Sequence, residues 1–245
     1  MIKRKRNLYE TKATDTLDGR HRPDCMSGFA QAAELEVTVQ NLTRGIYFTP
    51  ILITAHSPDQ QLFNVGEAAS TELQAMAEGG DISGLETAVD AVSADTVANP
   101  AGGLLMPTAA TTTTLSTMDG NTALSIVAMM LPTNDGFIGL NSWMIPEEPG
   151  TYTVYINAYD AGTEANDEIR GGGAPGAPGL PVPPPLEDLV GTGGSGVTSE
   201  ITNATVHIHP GNLGDNDTEA GMSDIANTFQ RWLNPVAMVT VTVSE

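Results

Sequence analysis

Two segments of this chain alternate apolar and polar residues, and this period of two constrains the fold more than any other feature. Residues 34–42 (ELEVTVQNL) place three apolar side chains on one face: Leu35, Val37 and Val39. Residues 235–244 (PVAMVTVTVS) repeat the pattern. Successive side chains of a strand point to opposite faces of a sheet, so each segment is expected to bury one face. The pattern predicts an all-β, antiparallel β-sandwich.

Turn-forming residues separate these two segments from further predicted strands. Residues 43–45 form a turn that is expected to join 34–42 to 46–55 (IYFTPILITA) in an opening hairpin. Residues 200–209 alternate again and are expected to present one face made of Thr202, Ala204, Val206 and Ile208. The remaining predicted strands lie at 108–117, 125–131, 137–145 and 151–159.

Two short segments after the first hairpin have helical periodicity. Residues 70–77 (STELQAMA) begin with Ser70, a residue type that caps helices by accepting a backbone N–H. Residues 82–92 place apolar side chains at helical spacing, namely Ile82, Leu85, Val89 and Val92. The sequence therefore predicts a β-sandwich with two short helices inserted after the first hairpin.

The charge of the chain is strongly negative and unevenly distributed. The formal net charge is -20, yet residues 1–32 hold seven of the ten Lys and Arg residues. Four of the 30 Asp and Glu residues lie before residue 33. The remaining 26, together with three Lys or Arg residues, give the chain after residue 32 a net charge of -23. Such a surface repels nucleic acid and anionic lipid and attracts cations.

The N-terminal residues indicate an exported protein. Ala30-Gln31-Ala32 has the small-residue pattern of a signal-peptidase site, but residues 7–27 are polar and lack an apolar core segment. We interpret 1–32 as a disordered leader or the remnant of a signal peptide with a misassigned start. Cys25 is the only cysteine, so no intrachain disulfide can form. The expected location is secreted, periplasmic or on the cell surface, without a membrane span.

The rest of the chain, 33–245, is predicted to be one sandwich domain. It is interrupted at 171–199, where Gly, Pro and small residues dominate. A composition of this kind is expected to form a flexible insertion that cannot bury a core.

Two aspartates are expected to converge at one end of the sandwich. Asp135 follows the strand 125–131, and Asp160 follows the strand 151–159, with 137–145 between them. Two reversals of a meander place both carboxylates at the same end of the sheet. Paired carboxylates with loop carbonyls suit a hard cation such as calcium, which takes six to eight oxygens. The structural alternative is that both residues only cap turns.

Several stretches resemble the spondin domain, the calcium-binding β-sandwich of F-spondin and mindin that also occurs alone in bacterial secreted proteins. The matching stretches are TPILITAHSPDQQLFNVGEAAS (49–70), MLPTNDGFIGLN (130–141), YDAGTEANDE (159–168), VHIHPGN (206–212) and RWLNPVAMVTV (231–241). The resemblance implies a C2-like sandwich with calcium between loops at one end. It also implies that Asp135 and Asp160 are ligands, with a backbone carbonyl near Ala161.

The chain departs from the animal members of this family. Their glutamate ligand from the strand before Asp135 has no counterpart in 113–119, where Asp119 is the candidate substitute. The loop after Asp160 offers further oxygens in Glu164, Asn166, Asp167 and Glu168. The paired cysteines and thrombospondin repeats are absent from this sequence, so integrin or matrix binding is not carried over.

Histidines provide a competing interpretation. His207 and His209 are two apart on a predicted strand, and His56 ends another, a set that suits Cu(II) or Zn(II). Bacterial proteins from methane oxidisers that resemble spondin domains bind copper through two histidines and an oxidised tryptophan. Trp143 and Trp232 are the candidates for that part here.

The predicted function is that of a calcium-binding module in adhesion or recognition at the cell surface, with an unidentified protein or glycan partner. The alternative is a copper-binding surface or periplasmic protein. A weaker second cation site is Asp215, Asp217 and Glu219, whose spacing does not complete an EF-hand. No nucleophile elbow, phosphate loop or zinc-protease motif occurs in the sequence, so we predict no enzymatic activity.

Overall fold

The computed structural model describes residues 32–217 and 219–244. Of the predicted leader only Ala32 is included, so Cys25 and the basic segment lie outside the described residues. The elements are β1(Glu34–Asn41), β2(Tyr47–Phe48), β3(Leu52–His56), α1(Thr71–Gly79), α2(Ser83–Asp90), β4(Asp95–Ala98), β5(Ala110–Ser116), β6(Ala123–Leu131), β7(Gly136–Met144), β8(Gly150–Asp160), β9(Arg170–Gly171), β10(Leu180–Pro181), a 3-10 helix at Pro184–Leu186, β11(His207–Ile208) and β12(Ala237–Ser244).

One antiparallel sheet dominates the fold. Its strand order is β4-β3-β6-β7-β8-β12-β1-β5, with β2 added at β6 and β11 at β8. The described residues are 34% strand and 9% helix, and the sheet curls into a nearly closed sandwich. This confirms the predicted all-β class with two helices. Within the described residues, neither helix is long and apolar enough to cross a membrane.

The predicted meander is confirmed by the pairing of β6, β7 and β8. β7 pairs with β6 along most of its length, but it pairs with β8 only from Gly136 to Gly139. Beyond Gly139 the two strands separate, and β8 continues against β12. The sheet therefore turns a corner between β7 and β8, and the end of β8 lies beside the start of β7.

The opening hairpin does not form, which corrects one detail of the prediction. β1 pairs with β12 and β5, whereas β2 and β3 pair with β6. The Asn41 side chain donates to the Ile46 carbonyl at 2.7 Å and accepts from the Thr43 N–H at 2.9 Å. These bonds turn the chain away from β1. A bend at Pro50 then divides the predicted strand 46–55 into β2 and β3.

The predicted strand 200–209 is also corrected, because only His207 and Ile208 are in a strand. Both the N–H and the hydroxyl of Thr205 donate to Asn203 Oδ1, at 3.2 and 2.8 Å. This side-chain turn competes with strand geometry. Of the face expected to be buried, Val206 alone is buried.

Two hydrophobic cores share the central strands. The first fills the interior of the sandwich between the inward side chains of β1, β3, β6, β8 and β12. The second lies outside β6 and is covered by α1 and α2. Strand β6 is buried at every position because both of its faces are covered. Ser70 caps α1 as predicted, accepting from the Leu73 N–H at 3.1 Å.

The Gly/Pro-rich segment 171–199 contributes to the second core, contrary to the expectation from its composition. Leu180 and Leu186 are fully buried, and Val190 is nearly so. Apolar residues within LPVPPPLEDLV (180–190) are therefore enough to anchor the segment on the sandwich.

Candidate metal centre

Asp135 and Asp160 lie next to each other at one end of the sheet. Asp135 ends the β6–β7 turn, and Asp160 is the last residue of β8, paired with Gly136. The Ala161 N–H donates to the Asp135 carbonyl at 3.2 Å. Both side chains are buried, with exposures of 0% and 1%. The structure therefore brings the two predicted carboxylates together.

The two oxygens of Asp135 differ in their surroundings. Oδ2 accepts from the Thr163 N–H at 2.7 Å, from the Thr163 hydroxyl at 3.1 Å and from the Glu164 N–H at 3.0 Å. Oδ1 is buried and has no hydrogen-bond donor among the described residues. A buried acceptor without a donor costs free energy, so this oxygen is the strongest sign of a missing partner.

Asp160 is held by the loop that follows it. Its Oδ1 accepts from the Gly162 N–H at 2.8 Å, and its Oδ2 accepts from Asn166 Nδ2 at 2.5 Å. Gly162 has a φ of +71°, and a Cβ there would lie 2.6 Å from the Thr205 nitrogen. Glycine thus lets the loop bend back onto the carboxylate and pack against the loop before β11.

Burial and like charge make Asp135 costly to ionise. Burial and, to a smaller extent, the neighbouring Asp160 carboxylate raise the pKa of Asp135 to about 6, against the opposing effect of the hydrogen bonds from Thr163 and Glu164. The positive charge of a bound cation would offset both effects. The electrostatics of the pair therefore fit a cation.

Glu164 is a third carboxylate at this end of the sheet. Burial raises its pKa to about 7, opposed by a hydrogen bond from the Gly179 N–H and supported by the charges of Glu78, Asp135 and Asp167. One oxygen accepts from Gly179, and the other, Oε2, is buried with no donor among the described residues. Glu164 is thus a more suitable third acid than Asp119.

Two other acids of this loop, Asp167 and Glu168, accept hydrogen bonds from neighbouring segments. Asp167 Oδ1 accepts from Asn134 Nδ2 and from the Ile169 N–H. Glu168 accepts from the N–H groups of Leu213 and Gly214 and from the Ser223 hydroxyl. These acids tie the loops together.

His207 lies beside the carboxylate pair. Its Nδ1 is 2.8 Å from the Thr205 carbonyl, which only accepts, so Nδ1 carries a proton and the neutral ring has its lone pair on Nε2. Nε2 faces Asp160 Oδ2 at 3.7 Å. A protonated ring would form an ion pair with Asp160 across this distance, whereas the neutral ring would offer Nε2 as a ligand beside the carboxylate.

His209 also lies nearby but has the opposite tautomer. The Gly211 N–H donates to its Nδ1 at 3.0 Å, so the neutral ring carries its proton on Nε2, which has no acceptor among the described residues. Its ring lies 4.9 Å from that of Trp232. Burial lowers the pKa of His209 to about 4, opposed by Asp160 and supported by His207. Metal binding through Nε2 would require this tautomer to change.

Three other candidates lie away from the carboxylate pair. His56 pairs with Ala123 at the start of the nine-residue β6, about 25 Å from the end that precedes Asp135. Its ring nitrogens contact Ser57 and Ser125. Asp119 precedes β6 and accepts from the Ala32 N–H. Trp143 pairs with Leu124, near the same start of β6, and packs against Tyr152.

The second acidic loop binds its own backbone. Asp215 Oδ2 accepts from the N–H groups of Met222 and Ser223, and Oδ1 accepts from Asp217. The bonds from Ser223, Met222 and Asp217 lower the pKa of Asp215. Asp217 in turn accepts from Glu219 and Ala220. These aspartates stabilise a turn.

The residues at the Asp135–Asp160 end fit a hard cation in part. The described residues contain no group of three or more His, Cys, Asp or Glu side chains already arranged around one metal position. A calcium ion at the pair would need carbonyl, amide or water oxygens in addition. The oxygens available to such a cation are Asp135 Oδ1 and Glu164 Oε2, which accept no hydrogen bond from the described residues.

Comparison with known proteins identifies the family. A search of curated proteins finds no match. The family model described as Spondin_N matches residues 40–171, more than half of the chain. The family comprises extracellular, adhesion-type modules without enzymatic activity. Its match covers both aspartates and most strands of the sandwich, and this chain therefore belongs to the spondin N-terminal domain family.

Proposed function

We propose that this protein is a secreted recognition module that binds calcium at Asp135 and Asp160, with Glu164 as a third acid. The observation that carries the proposal is the free Oδ1 of Asp135, fully buried beside a second buried carboxylate. Calcium there would supply the partner that the oxygen lacks. It would also join the β6–β7 turn to the loop after β8.

The acidic surface supports the same proposal. A net charge of -23 after residue 32 concentrates divalent cations near the protein. Extracellular calcium modules bind with Kd values of about 10⁻⁴ to 10⁻³ M, which a site of few acids completed by carbonyls and water matches.

Thermal unfolding of EDTA-stripped protein tests the calcium site. A ligand at 100 times its Kd stabilises the folded state by about 2.7 kcal/mol, which raises Tm by roughly 5–10 °C for a domain of this size. We expect that rise with calcium for the wild type and its loss in Asp135→Asn. The matched control is Asp59→Asn, because Asp59 is an exposed aspartate after β3. An unchanged wild-type Tm at ten-millimolar-range calcium, or an equal rise in Asp135→Asn, would refute the site.

A copper site at His207 is the second candidate function. It is favoured by one observation, the position of His207 Nε2, which faces Asp160 Oδ2 at 3.7 Å and carries the lone pair of the neutral ring. His209, whose ring lies 4.9 Å from that of Trp232, would have to change tautomer and move to join such a site. His56 takes no part in it, because it lies at the other end of β6.

Copper titration separates the two candidates. If His207 is a ligand, His207→Ala abolishes Cu(II) binding followed by electron paramagnetic resonance, while His56→Ala leaves it intact. Retention of the copper spectrum in His207→Ala would remove this candidate without affecting the calcium proposal.

A further inference from the structure

Residues 172–179 form a strap that joins β9 to β10 over the surface of the sandwich. Buried leucines anchor the residues that follow it, at 180 and 186. Within the strap itself only Gly179 is buried, and the other residues are exposed or half-buried. A segment with few buried apolar contacts opens locally at a low cost in free energy. The position of the strap therefore depends on its polar contacts.

Two carboxylates from the body of the protein hold the strap by its backbone. Glu78 Oε2 accepts from the Gly176 N–H, and its Oε1 accepts from Gln74 Nε2 at 2.8 Å. Glu78 is 2% exposed and lies in the last turn of α1, which has no basic residue to offset the helix dipole. Because a buried carboxylate that loses a donor costs free energy, Glu78 favours the docked strap. The second contact is that of Glu164 Oε1, which accepts from the Gly179 N–H.

Glu164 connects the strap to the candidate metal centre. Its N–H donates to Asp135 Oδ2 at 3.0 Å, so its backbone is fixed beside the carboxylate pair. Its Oε1 holds Gly179, whereas its Oε2 is buried and accepts no hydrogen bond from the described residues. The same carboxylate can therefore hold the strap through one oxygen and offer the other oxygen to a cation.

The strap also forms one wall of a cleft of about 560 Å³. Gly176 and Pro178 line it from the strap, and residues 194–196, 198 and 199 line it from the following loop. Glu78 and Glu164 line the cleft as well. Movement of the strap would therefore change the shape of a surface next to the carboxylate pair.

We propose that a cation at the Asp135–Asp160 pair locks the strap in its docked position through Glu164. Contact of Oε2 with the cation would fix the orientation of the carboxylate whose Oε1 accepts from Gly179. Docking holds Glu164 where it contributes to the affinity for the cation, so by reciprocity the cation favours the docked strap by the same factor. This inference rests on the proposed calcium site and adds the segment that responds to it.

Hydrogen exchange of backbone amides, followed by NMR on the full chain in EDTA and in saturating calcium, tests the proposal. If Glu164 contributes about tenfold to calcium affinity, calcium is expected to slow exchange of the Gly179 amide by about tenfold. The reference is the Asn121 amide, which donates to the Met118 carbonyl in a turn before β6. Its exchange should change by less than about twofold, because that turn opens without disturbing the metal centre.

Two matched substitutions assign the response to Glu164. Glu164→Gln keeps an oxygen for Gly179 but loses the negative charge that attracts the cation, so saturating calcium should no longer slow the Gly179 amide. Glu78→Gln makes the same chemical change at the other strap contact, and calcium should still slow the Gly179 amide by about tenfold. A calcium response that persists in Glu164→Gln would overturn the proposal.

A backbone substitution loosens the strap without changing either acid. Gly176 has a φ of +77°, and a Cβ there meets no atom within 4 Å, so Gly176→Ala adds only the cost of left-handed backbone. We expect Gly176→Ala to speed exchange at Gly179 by roughly five- to tenfold. The matched control is Gly120→Ala, with a φ of +93° and an equally open position in the turn before β6. Equal exchange at Gly179 in the two variants would contradict a strap that opens as a unit.

Calorimetry on the same samples separates this inference from the calcium site. Calcium binding with unchanged or faster exchange at Gly179 would overturn the strap and leave the site intact. Absence of calcium binding would overturn both.

Discussion

The two acidic loops of this protein look alike in sequence and differ in structure. The loop at Asp215 and Asp217 is exposed, and the oxygens of Asp215 accept hydrogen bonds from three backbone N–H groups. The Asp135–Asp160 pair is buried, and one oxygen of Asp135 has no donor among the described residues. A cation site therefore depends on oxygens that the fold leaves without hydrogen-bond donors, and the number of acids alone does not reveal it.

Their electrostatics differ in the same way. Backbone hydrogen bonds lower the pKa of Asp215, so its charge stabilises the turn. Burial and Asp160 raise the pKa of Asp135 to about 6, so its charge destabilises the metal-free fold. Substitution to asparagine should therefore have opposite effects on stability in the two loops.

The largest expected effect is that of Asp135→Asn in EDTA at pH 8. A rise from 3.8 to about 6 corresponds to about 3 kcal/mol of destabilisation by the ionised group. Asparagine keeps an oxygen for Thr163 and Glu164 and provides an N–H for Asp160, so we expect a gain of about 2 kcal/mol in the free energy of unfolding. Urea denaturation measures this. A loss of stability in EDTA would contradict the proposed strain between the two carboxylates.

The next effect is a pH dependence of that gain. The pKa of Asp135 in the folded protein lies above 3.8, so between about pH 4 and 6 its carboxyl group binds more protons in the folded state than in the unfolded state. The destabilisation caused by its negative charge therefore decreases as the pH falls. The advantage of Asp135→Asn over the wild type should shrink by about 1 kcal/mol between pH 7 and pH 5.

The effect must be measured as the difference in stability between the wild type and Asp135→Asn, because the titration of His209 changes stability in the opposite direction. Its folded pKa of about 4 lies below 6.5, so falling pH through this window destabilises the fold. This contribution is present in the wild type and in the variant and cancels in the difference. A difference that does not change with pH would exclude Asp135 as the titrating group.

A smaller effect is expected from Glu164→Gln. Loss of one carboxylate at the edge of the site should weaken calcium binding by about tenfold without abolishing it, because Asp135 and Asp160 remain. Calcium competition with a chromophoric chelator measures the change, and Asp167→Asn is the control because Asp167 is bonded to Asn134. Equal losses in both variants would indicate a general charge effect.

The smallest effect is that of Asp215→Asn. It should leave calcium affinity unchanged and lower Tm slightly, since one amide oxygen accepts fewer backbone N–H groups than a carboxylate. Loss of calcium binding in this variant would reverse the assignment of the two loops.

Local patterns were sufficient to predict most of the elements. The alternation of apolar and polar residues predicted β1 and β12, and the helix-forming residues after Ser70 predicted α1. The chain reversals at 132–136 and 146–150 predicted that Asp135 lies beside Asp160. These features depend on neighbouring residues, so one sequence contains the required information.

Long-range contacts explain what the sequence did not reveal. The partners of β1 lie some 75 and 200 residues away, in β5 and β12, and no local pattern identifies them. The burial of Glu164 depends on Gly179 from the Gly/Pro-rich segment. The prediction of a strand over 200–209 was wrong because Asn203 forms a local turn, which competes with the pairing of this segment in the sheet.

Calorimetric titration of EDTA-stripped protein with calcium measures directly whether the Asp135–Asp160 pair holds the ion. We predict saturable binding of one ion per chain for the wild type and for Asp215→Asn, and no binding for Asp135→Asn. Absence of binding in the wild type, or binding that survives Asp135→Asn and is lost in Asp215→Asn, would contradict the account.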